Sequence, residues 1–441
     1  MSLSAYQKEN DGMINSFLGR TFFEAWKHPE DDRLLNFQSL ELILNYKCDL
    51  GCKYCYVHRF GDELYPPEIQ DSQTILSNAE LVLDWLARNG YHPSKIELFS
   101  GEPLIQPLAF QVLDRVLDRI RGSQTRIVIP TNFTFLLNDA LTKRVEAHLQ
   151  LSKDQGNPIF LSASIDGKYC ETNRPFLDGR PDPRDDAYYE KAFAFVKKWN
   201  LGFHPMLYSE RIEYWKRNFL WFQEMFKKYK LPWYHLYLLE VRNAEWSVPQ
   251  ILEYGRFVEF LIKWCYDKCG RNFSRYREFL FRHRGFNMLA NPLSTVGRGI
   301  GCSIQATFAV RLGDLSIVPC HRTSYKPFIL GKMRVEGGRI TGIEALNPEL
   351  WIALVSVDGN CLPYCEQCMI KSLCPKGCFG SQLEINGDLF EPIPTVCMLM
   401  HEKIRAMVKT YEELGIYSSI LASVNEDKRQ ALEQVRAMMR R

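Results

Sequence analysis

Three cysteines, Cys48, Cys52 and Cys55, stand in the run NYKCDLGCKYCY, directly after SLELILN (39–45), which reads as a buried strand. The spacing C-x3-C-x2-C puts three thiols on one short loop. Three thiolates cannot complete a tetrahedral zinc site without a fourth ligand. On a [4Fe–4S] cluster they would leave one iron open, and closely spaced cysteines are the usual ligands of such clusters. The chain must therefore fold so that a loop leaving a strand presents three sulfurs together.

The 441 residues contain 14 cysteines, ten of them in spaced arrays. A disulfide framework fits badly, because such frameworks staple small secreted domains with too little core. The N-terminal MSLSAYQKEN lacks a basic-then-apolar signal pattern, and no apolar run approaches membrane-spanning length. A reducing cytoplasm is expected, with the cysteines serving as metal ligands, reactive thiols or small buried hydrophobes. With 55 basic and 52 acidic residues, the charge gives no reason to expect a nucleic-acid or membrane-surface partner.

Residues 1–38 read as a polar N-terminal extension. Residues 39–268 alternate strand and helix patterns: strands at 39–45, 96–99, 126–130, 159–165, 203–208 and 234–239, with helices near 77–88, 108–120, 138–149, 186–199, 213–228 and 248–267. Such repeats imply a parallel sheet with crossover helices, and six units suit a partial (β/α)6 TIM-like barrel whose site lies at the C-terminal strand ends. Residues 269–400 lose the alternation and are rich in Gly, Pro and Cys, so a metal scaffold is expected to supply their order. Residues 401–441 read as a C-terminal helical segment.

The first array, with aromatic Tyr54 before its third cysteine, resembles the signature of radical S-adenosylmethionine (radical SAM) enzymes. In that family the open iron chelates the methionine part of S-adenosyl-L-methionine, whose reductive cleavage yields a 5′-deoxyadenosyl radical that abstracts hydrogen from substrate. Other stretches agree in order. FSGEPL (99–104) is similar to the family's GGEP motif, which implies that Ser100, Gly101, Glu102 and Pro103 hold the cofactor's ammonium end; Ser100 replaces the first glycine. PTN (130–132) resembles the TNG stretch without its glycine and points to Asn132. SASIDG (162–167) with NRPFLDGR (173–180) resembles the fourth-strand segment of the peptide- and protein-modifying branch. That likeness implies that Ser164 approaches the ribose and Asp166 shapes the site.

Cys365, Cys368, Cys374 and Cys378 give C-x2-C-x5-C-x3-C, with Cys302 and Cys320 upstream and Cys397 downstream. A zinc ribbon is the plain alternative, although two zinc ions need eight ligands and seven are present. The seven resemble the SPASM extension of radical SAM enzymes, which holds two auxiliary [4Fe–4S] clusters. By that resemblance Cys302, Cys320 and Cys378 hold the nearer cluster, and Cys365, Cys368, Cys374 and Cys397 the farther one. An eighth cysteine of some relatives is missing, so the nearer cluster is left with an open iron, a non-cysteine ligand or a recruited Cys361. His321, directly after Cys320, stands where anaerobic sulfatase maturases carry an aspartate, and is a candidate base.

Cys170, Cys265 and Cys269 read as ordinary thiols, and the twelve aromatics of 203–237 read as packing. The glycines of VGRGIGC (296–302) lack the strand and helix that a dinucleotide site needs. The resemblance implies three [4Fe–4S] clusters, an external electron donor such as flavodoxin or ferredoxin, and a peptide or protein substrate. The expected function is a radical SAM/SPASM maturase of ribosomally made peptides. A separate leader-binding protein is a candidate partner. Formylglycine formation in sulfatases is the rival of similar chemistry. A non-catalytic iron–sulfur carrier or metal scaffold is the rival from another class.

Overall fold

The computed structural model describes residues 37–294, 302, 304–356 and 362–440. The chain forms two compact units, one of Met1–Ser164, Pro175–Leu201 and Ser303–Val357, the other of Ile165–Arg174, Gly202–Cys302 and Asp358–Arg441. The expected Cys361 lies outside the described residues, as do 1–36 and the glycines of 295–301.

The first unit is a mixed α/β body built on a large, mainly parallel sheet. Its strands are β1 (Ser39–Ile43), β2 (Lys95–Phe99), β3 (Arg126–Thr131), β4 (Ile159–Ala163), β5 (Thr307–Arg311), β6 (Ser316–Val318), β7 (Gly331–Glu336) and β8 (Arg339–Ala345). They pair in the order β8-β7-β6-β5-β1-β2-β3-β4. The five strands from β5 to β4 run parallel, and β6 to β8 form an antiparallel extension. Thus β1 is central. Its edge opposite β2 is taken by 307–311, from the cysteine-rich stretch in which the sequence shows no strand alternation.

Alternation along these strands divides the sheet into two unlike faces. Leu40, Leu42, Ile96, Leu98, Ile127, Ile129, Leu161, Phe308 and Val310 are buried on one face. Crossover helices α1 (Tyr56–Leu64), α2 (Ser72–Arg88), α3 (Pro107–Ile120), α4 (Asp139–Gln155) and α5 (Asp186–Trp199) belong to the same unit. Helix α2 starts on Asp71, whose carboxylate accepts from Thr74 N–H, and α4 on Asn138, which accepts from Ala140 and Leu141. The other face carries Glu41, Lys95, Glu97, Phe99, Arg126, Pro130, Phe160 and Ser162, and most of it is partly exposed. A sheet buried on both faces would be apolar on both; this one keeps an open polar face.

The second unit is mainly helical. It holds a short parallel pair, Met206–Leu207 with Leu239–Glu240, and α6 (Trp215–Tyr229), α7 (Val248–Lys268), α8 (Phe273–Arg282), α9 (Phe379–Asn386), α10 (Pro394–Glu413), α11 (Tyr417–Ser423) and α12 (Glu426–Met439). The aromatics of 203–237 pack as core: Trp215, Phe219, Phe222 and Phe226 are buried, and Trp233 stacks on Phe279 at 4.2 Å. Cys170, Cys265 and Cys269 are buried thiols. Helix α12, read from the sequence as solvated, buries Ala431, Leu432 and Val435. Among the described residues no helix is long and apolar enough to cross a membrane.

One ion pair locks this unit. Lys403 on α10 reaches Glu240 at 2.7 Å, both are buried, and the Tyr254 hydroxyl donates to the same carboxylate oxygen at 2.7 Å. Burial pushes the Glu240 carboxyl up, but the Lys403 and Arg242 charges outweigh it and hold it at about 2. Lys403→Met strands a buried carboxylate, and a loss of about 3–5 kcal/mol is expected in urea unfolding. Lys403→Met combined with Glu240→Gln recovers most of that loss.

Candidate active site and cysteine centres

The first cysteine loop leaves the C-terminal end of β1 and ends at Cys55, which caps α1. Cys48, Cys52 and Cys55 are each partly exposed. The Cys55 N–H donates to Cys52 O at 2.9 Å, and the Leu50 N–H points at the Cys48 sulfur at 3.5 Å. Residues 49–51 pair with 175–177: Gly51 N–H donates to Pro175 O at 2.7 Å and Leu177 N–H to Asp49 O at 3.0 Å. Arg180 lies over the Phe176 ring at 4.1 Å. The NRPFLDGR segment thus braces the loop from outside.

The SGEP turn braces it from inside. A side chain at Gly101 would meet Tyr46 O at 2.3 Å and Lys47 O at 2.4 Å, so only glycine allows the two loops to touch. Beside it, Asn45 Oδ1 accepts from the Ser100 hydroxyl at 2.7 Å and from Lys47 N–H at 3.1 Å, while its amide donates to Gln106 at 2.9 Å. Gln106 donates in turn to Lys47 O at 2.9 Å. All three side chains are buried.

Glu102 is 1% exposed and sits at the end of this turn, before Pro103 opens a short 3-10 turn. Its carboxylate accepts from Asn132 N–H at 2.5 Å, the Thr131 hydroxyl at 2.8 Å and Leu104 N–H at 3.0 Å. Among the described residues no basic side chain pairs with it. Burial therefore prevails over these hydrogen bonds and lifts its pKa to about 7. Asn132 turns its side chain to Asp49 at 2.8 Å, beside the Cys48 sulfur at 3.9 Å. The glycine missing from the TNG-like stretch has a structural counterpart: Phe133 takes its place in the left-handed region, φ 65°, held by edge packing on Phe195.

Ser164 continues β4, and its N–H donates to Thr131 O at 2.8 Å. Asp166 belongs to the second unit. It is fully buried, lies 3.1 Å from Arg174, accepts from Met206 N–H at 3.0 Å, and so shapes its own loop. Tyr54 is partly exposed.

His321 opens a short turn after Cys320, beyond β6. Its backbone N–H and ring Nδ1 both engage Glu41 Oε2 at 3.0 Å, and its ring stacks on Phe99 at 3.6 Å. Burial opposes the imidazolium, yet the Glu41 carboxylate outweighs it and holds the His321 pKa above its ordinary value. Buried Arg311 anchors the region, chelating Asp314 at 3.0 and 2.7 Å and donating to Ser324 O at 2.8 Å. Glu41, Asn45, Asp49, Gln106 and Arg311 were not singled out from the sequence. Glu41 had a readable signal, an acid in the middle of an otherwise apolar strand.

The second array lies in successive turns of 362–374, where Cys365, Cys368 and Cys374 N–H groups donate to Leu362, Cys365 and Ile370 carbonyls. Cys378 caps α9 and Cys397 stands in the first turn of α10. Cys365, Cys374, Cys378 and Cys397 line one cavity, together with Arg242 and Lys376. Cys397 is within electrostatic reach of Cys374, Cys365 and Cys368, and burial lifts its thiol to about 11. The Cys368 sulfur lies 3.6 Å from His401 Nε2, and this contact holds its thiol below the ordinary value. Cys320 is in the first unit; Cys302 and Cys378 are in the second.

These donor sets suit iron–sulfur clusters. Among the described residues no three His, Cys, Asp or Glu side chains converge where one metal ion would sit. A four-iron cluster instead takes its thiolates at separate corners of a larger body. Burial and then the Glu102 carboxylate push the Cys48 thiol well up, so a thiolate there needs a positive centre beside it.

No protein-family model matches the chain. Among curated proteins it is 20% identical over 241 residues to the radical SAM cyclopropyl synthase TigE of Paramaledivibacter caminithermalis, 49% of this chain and 48% of that protein. The chain thus spans about half the length of the curated relative it matches. Two crystal structures of Streptococcus suis SuiB, one bound to S-adenosylmethionine, align over 82% of this chain at 12% identity. They are covered over 75% and 77% of their length, with TM-scores of 0.43 and 0.44 respectively. The sequence likeness to TigE agrees with the radical SAM resemblance that the motifs carry.

Gly101→Ala forces the 45–48 backbone away from the SGEP turn. Asn45→Leu leaves the Ser100 hydroxyl and Lys47 N–H without their acceptor, a cost of about 1–3 kcal/mol. Both variants are expected to melt lower than the parent and to exchange the Glu102 amide, bonded to Lys47 O at 2.8 Å, faster.

Proposed function

We propose that this chain is a radical SAM/SPASM enzyme that oxidatively modifies a ribosomally synthesised peptide, installing a crosslink or a related change. One observation carries the reading. Glu102 is a buried carboxylate with hydrogen-bond donors but, among the described residues, no cation, on the turn that packs against the strand-end loop of Cys48, Cys52 and Cys55. An ammonium group is the partner that such a carboxylate lacks.

Cys48, Cys52 and Cys55 would hold the first [4Fe–4S] cluster. Ser100, Gly101, Glu102, Pro103, Asn132, Ser164 and Tyr54 would bound the S-adenosyl-L-methionine site, with Asp166 bracing the loop after β4. When bound, that pair supplies hydrogen-atom abstraction from substrate. Two auxiliary clusters would take Cys302, Cys320 and Cys378, and Cys365, Cys368, Cys374 and Cys397. The chain's own work is positioning. The open polar face of the sheet offers hydrogen bonds to a peptide backbone, and Phe99 and Phe160 offer apolar contact. His321, its Nδ1 engaged by Glu41, keeps Nε2 for a proton leaving the substrate. An external flavodoxin- or ferredoxin-type donor, and a separate leader-binding protein, complete the proposed system.

The test is anaerobic reconstitution of the full chain. Iron is expected at about twelve per chain, for three clusters. Cys48→Ala/Cys52→Ala/Cys55→Ala is expected to lower it to about eight and to abolish 5′-deoxyadenosine formation. Zinc in place of iron would sink the reading. With a candidate precursor peptide, a mass loss of hydrogens should accompany 5′-deoxyadenosine; an unchanged peptide would reject that substrate.

His321→Ala separates the proposed steps. It should keep 5′-deoxyadenosine formation within about twofold and lose at least about tenfold of modified peptide, as general-base removal commonly does. Glu41→Gln keeps a hydrogen-bond acceptor for the ring but loses the charge, and should fall between His321→Ala and the parent.

A further inference from the structure

Helix α10 begins with Pro394 in its first turn, carries Cys397 one residue inside that turn's end, and places His401 four residues later. Residues four apart share a helix face, so Cys397 and His401 point the same way. The His401 ring closes on Cys368 Sγ at 3.6 Å, within reach of an N–H···S hydrogen bond. No cysteine motif includes this histidine, and the proposed function does not use it.

The cavity lined by Cys365, Cys374, Cys378 and Cys397 carries a further donor and positive charge. The Lys376 N–H donates to the Cys374 sulfur at 3.3 Å. Lys376 itself is 6% exposed, in a left-handed turn at φ 63°, with its ammonium folded back onto the Lys371 and Cys374 carbonyls. Arg242 reaches over the Lys376 carbonyl at 3.4 Å and lines the cavity beside it. Hydrogen bonds to the sulfurs, net charge and solvent exposure set the potential of an iron–sulfur cluster. The hydrogen bonds and the positive charge favour the more negative, reduced state here.

We infer that His401 is a positioning residue of the farther auxiliary centre: its Nε2–H donates to the Cys368 sulfur and raises the reduction potential of the cluster held there. This rests on the proposed ligand set Cys365, Cys368, Cys374 and Cys397. The centre is thereby tuned to accept an electron. Hydrogen abstraction leaves a substrate radical, and a new bond with loss of a second hydrogen requires that radical to give up one electron and one proton. Cys365, Cys368, Cys374 and Cys397 would hold a centre able to take that electron, and the proton would pass to a base.

The experiment uses the full chain, reconstituted anaerobically, with Cys48, Cys52 and Cys55 replaced by alanine so that auxiliary signals are read alone. Iron content is measured first. Adding Cys365→Ala/Cys397→Ala should remove about four iron per chain; unchanged iron would overturn the ligand set itself. Redox titration followed by electron paramagnetic resonance then compares His401→Leu with His401→Gln at full iron content. His401→Leu is expected to shift one auxiliary midpoint downward by a tenfold change in the reduced-to-oxidised ratio, ~59 mV for one electron. His401→Gln, which keeps an N–H donor, should restore most of the shift. Identical midpoints in parent and His401→Leu would overturn the inference while leaving the ligand set standing. Loss of iron in His401→Leu alone would also overturn it, because His401 would then be a ligand.

Discussion

Two carbonyl oxygens, of Tyr46 and Lys47, lie where the side chain of residue 101 would otherwise be. This contact fixes the distance between the cysteine loop and the SGEP turn, and the rest of the site is built on it. Because the turn cannot slide, Asn45, Ser100 and Gln106 can form a buried hydrogen-bond cluster across the two loops. Because that cluster holds, Glu102 is carried into the interior with donors on both oxygens. A buried carboxylate costs free energy unless it is paired. Hydrogen bonds from Asn132, Thr131 and Leu104 offset part of that cost.

The sheet follows the same logic on a larger scale. Parallel strands covered by helices usually read as continuous apolar runs. Here the face of β1 to β4 opposite the buried one carries Glu41, Lys95, Glu97 and Arg126. Each acid is answered locally: Lys95 pairs with Glu97 at 2.8 Å, and Glu41 takes both the backbone and the ring of His321. The Cys320–His321 turn is therefore positioned by the central strand as well as by its own loop. A charged residue in a strand middle is tolerated because it organises a neighbour.

How much of this was legible depended on whether a contact was local. The strand-end loop, the SGEP turn and the early helices follow from periodicity and caps, and helix α5 was placed at its full extent, 186–199. Residues 307–311 were not readable as a strand of the main sheet, because five residues among glycines carry too little periodicity and their pairing with β1 spans more than 260 residues of chain. The strands expected at 203–208 and 234–239 contribute to the parallel pair only as Met206–Leu207 and Leu239–Glu240, since buried aromatics near them mimic strand runs. The cysteines of both arrays were visible by spacing. Asn45, Gln106, Asp49 and Arg311 were not, because their importance comes from partners brought close only by folding. Asp166 was read as helping to shape the site, and its carboxylate meets Arg174 and Met206 N–H.

The second cysteine array poses a charge problem that its surroundings answer. Residues 362–378 make only turns before α9, and bury Leu362, Ile370 and Leu373. Four thiolates gathered there would repel one another, and burial lifts the Cys365 and Cys397 thiols already. Metal removes that repulsion by binding the ionised form. Lys376, Arg242 and His401 reduce what remains, from the loop, from the chain after the short parallel pair and from α10. His401 thus meets the Cys368 sulfur, the Lys376 N–H meets the Cys374 sulfur, and Arg242 holds the Lys376 carbonyl beside them. A plain structural zinc knot gains nothing from having its electronic state tuned, since zinc has no redox chemistry. A cluster that must take and release an electron does, and that difference favours the redox reading of the centre over the scaffold reading.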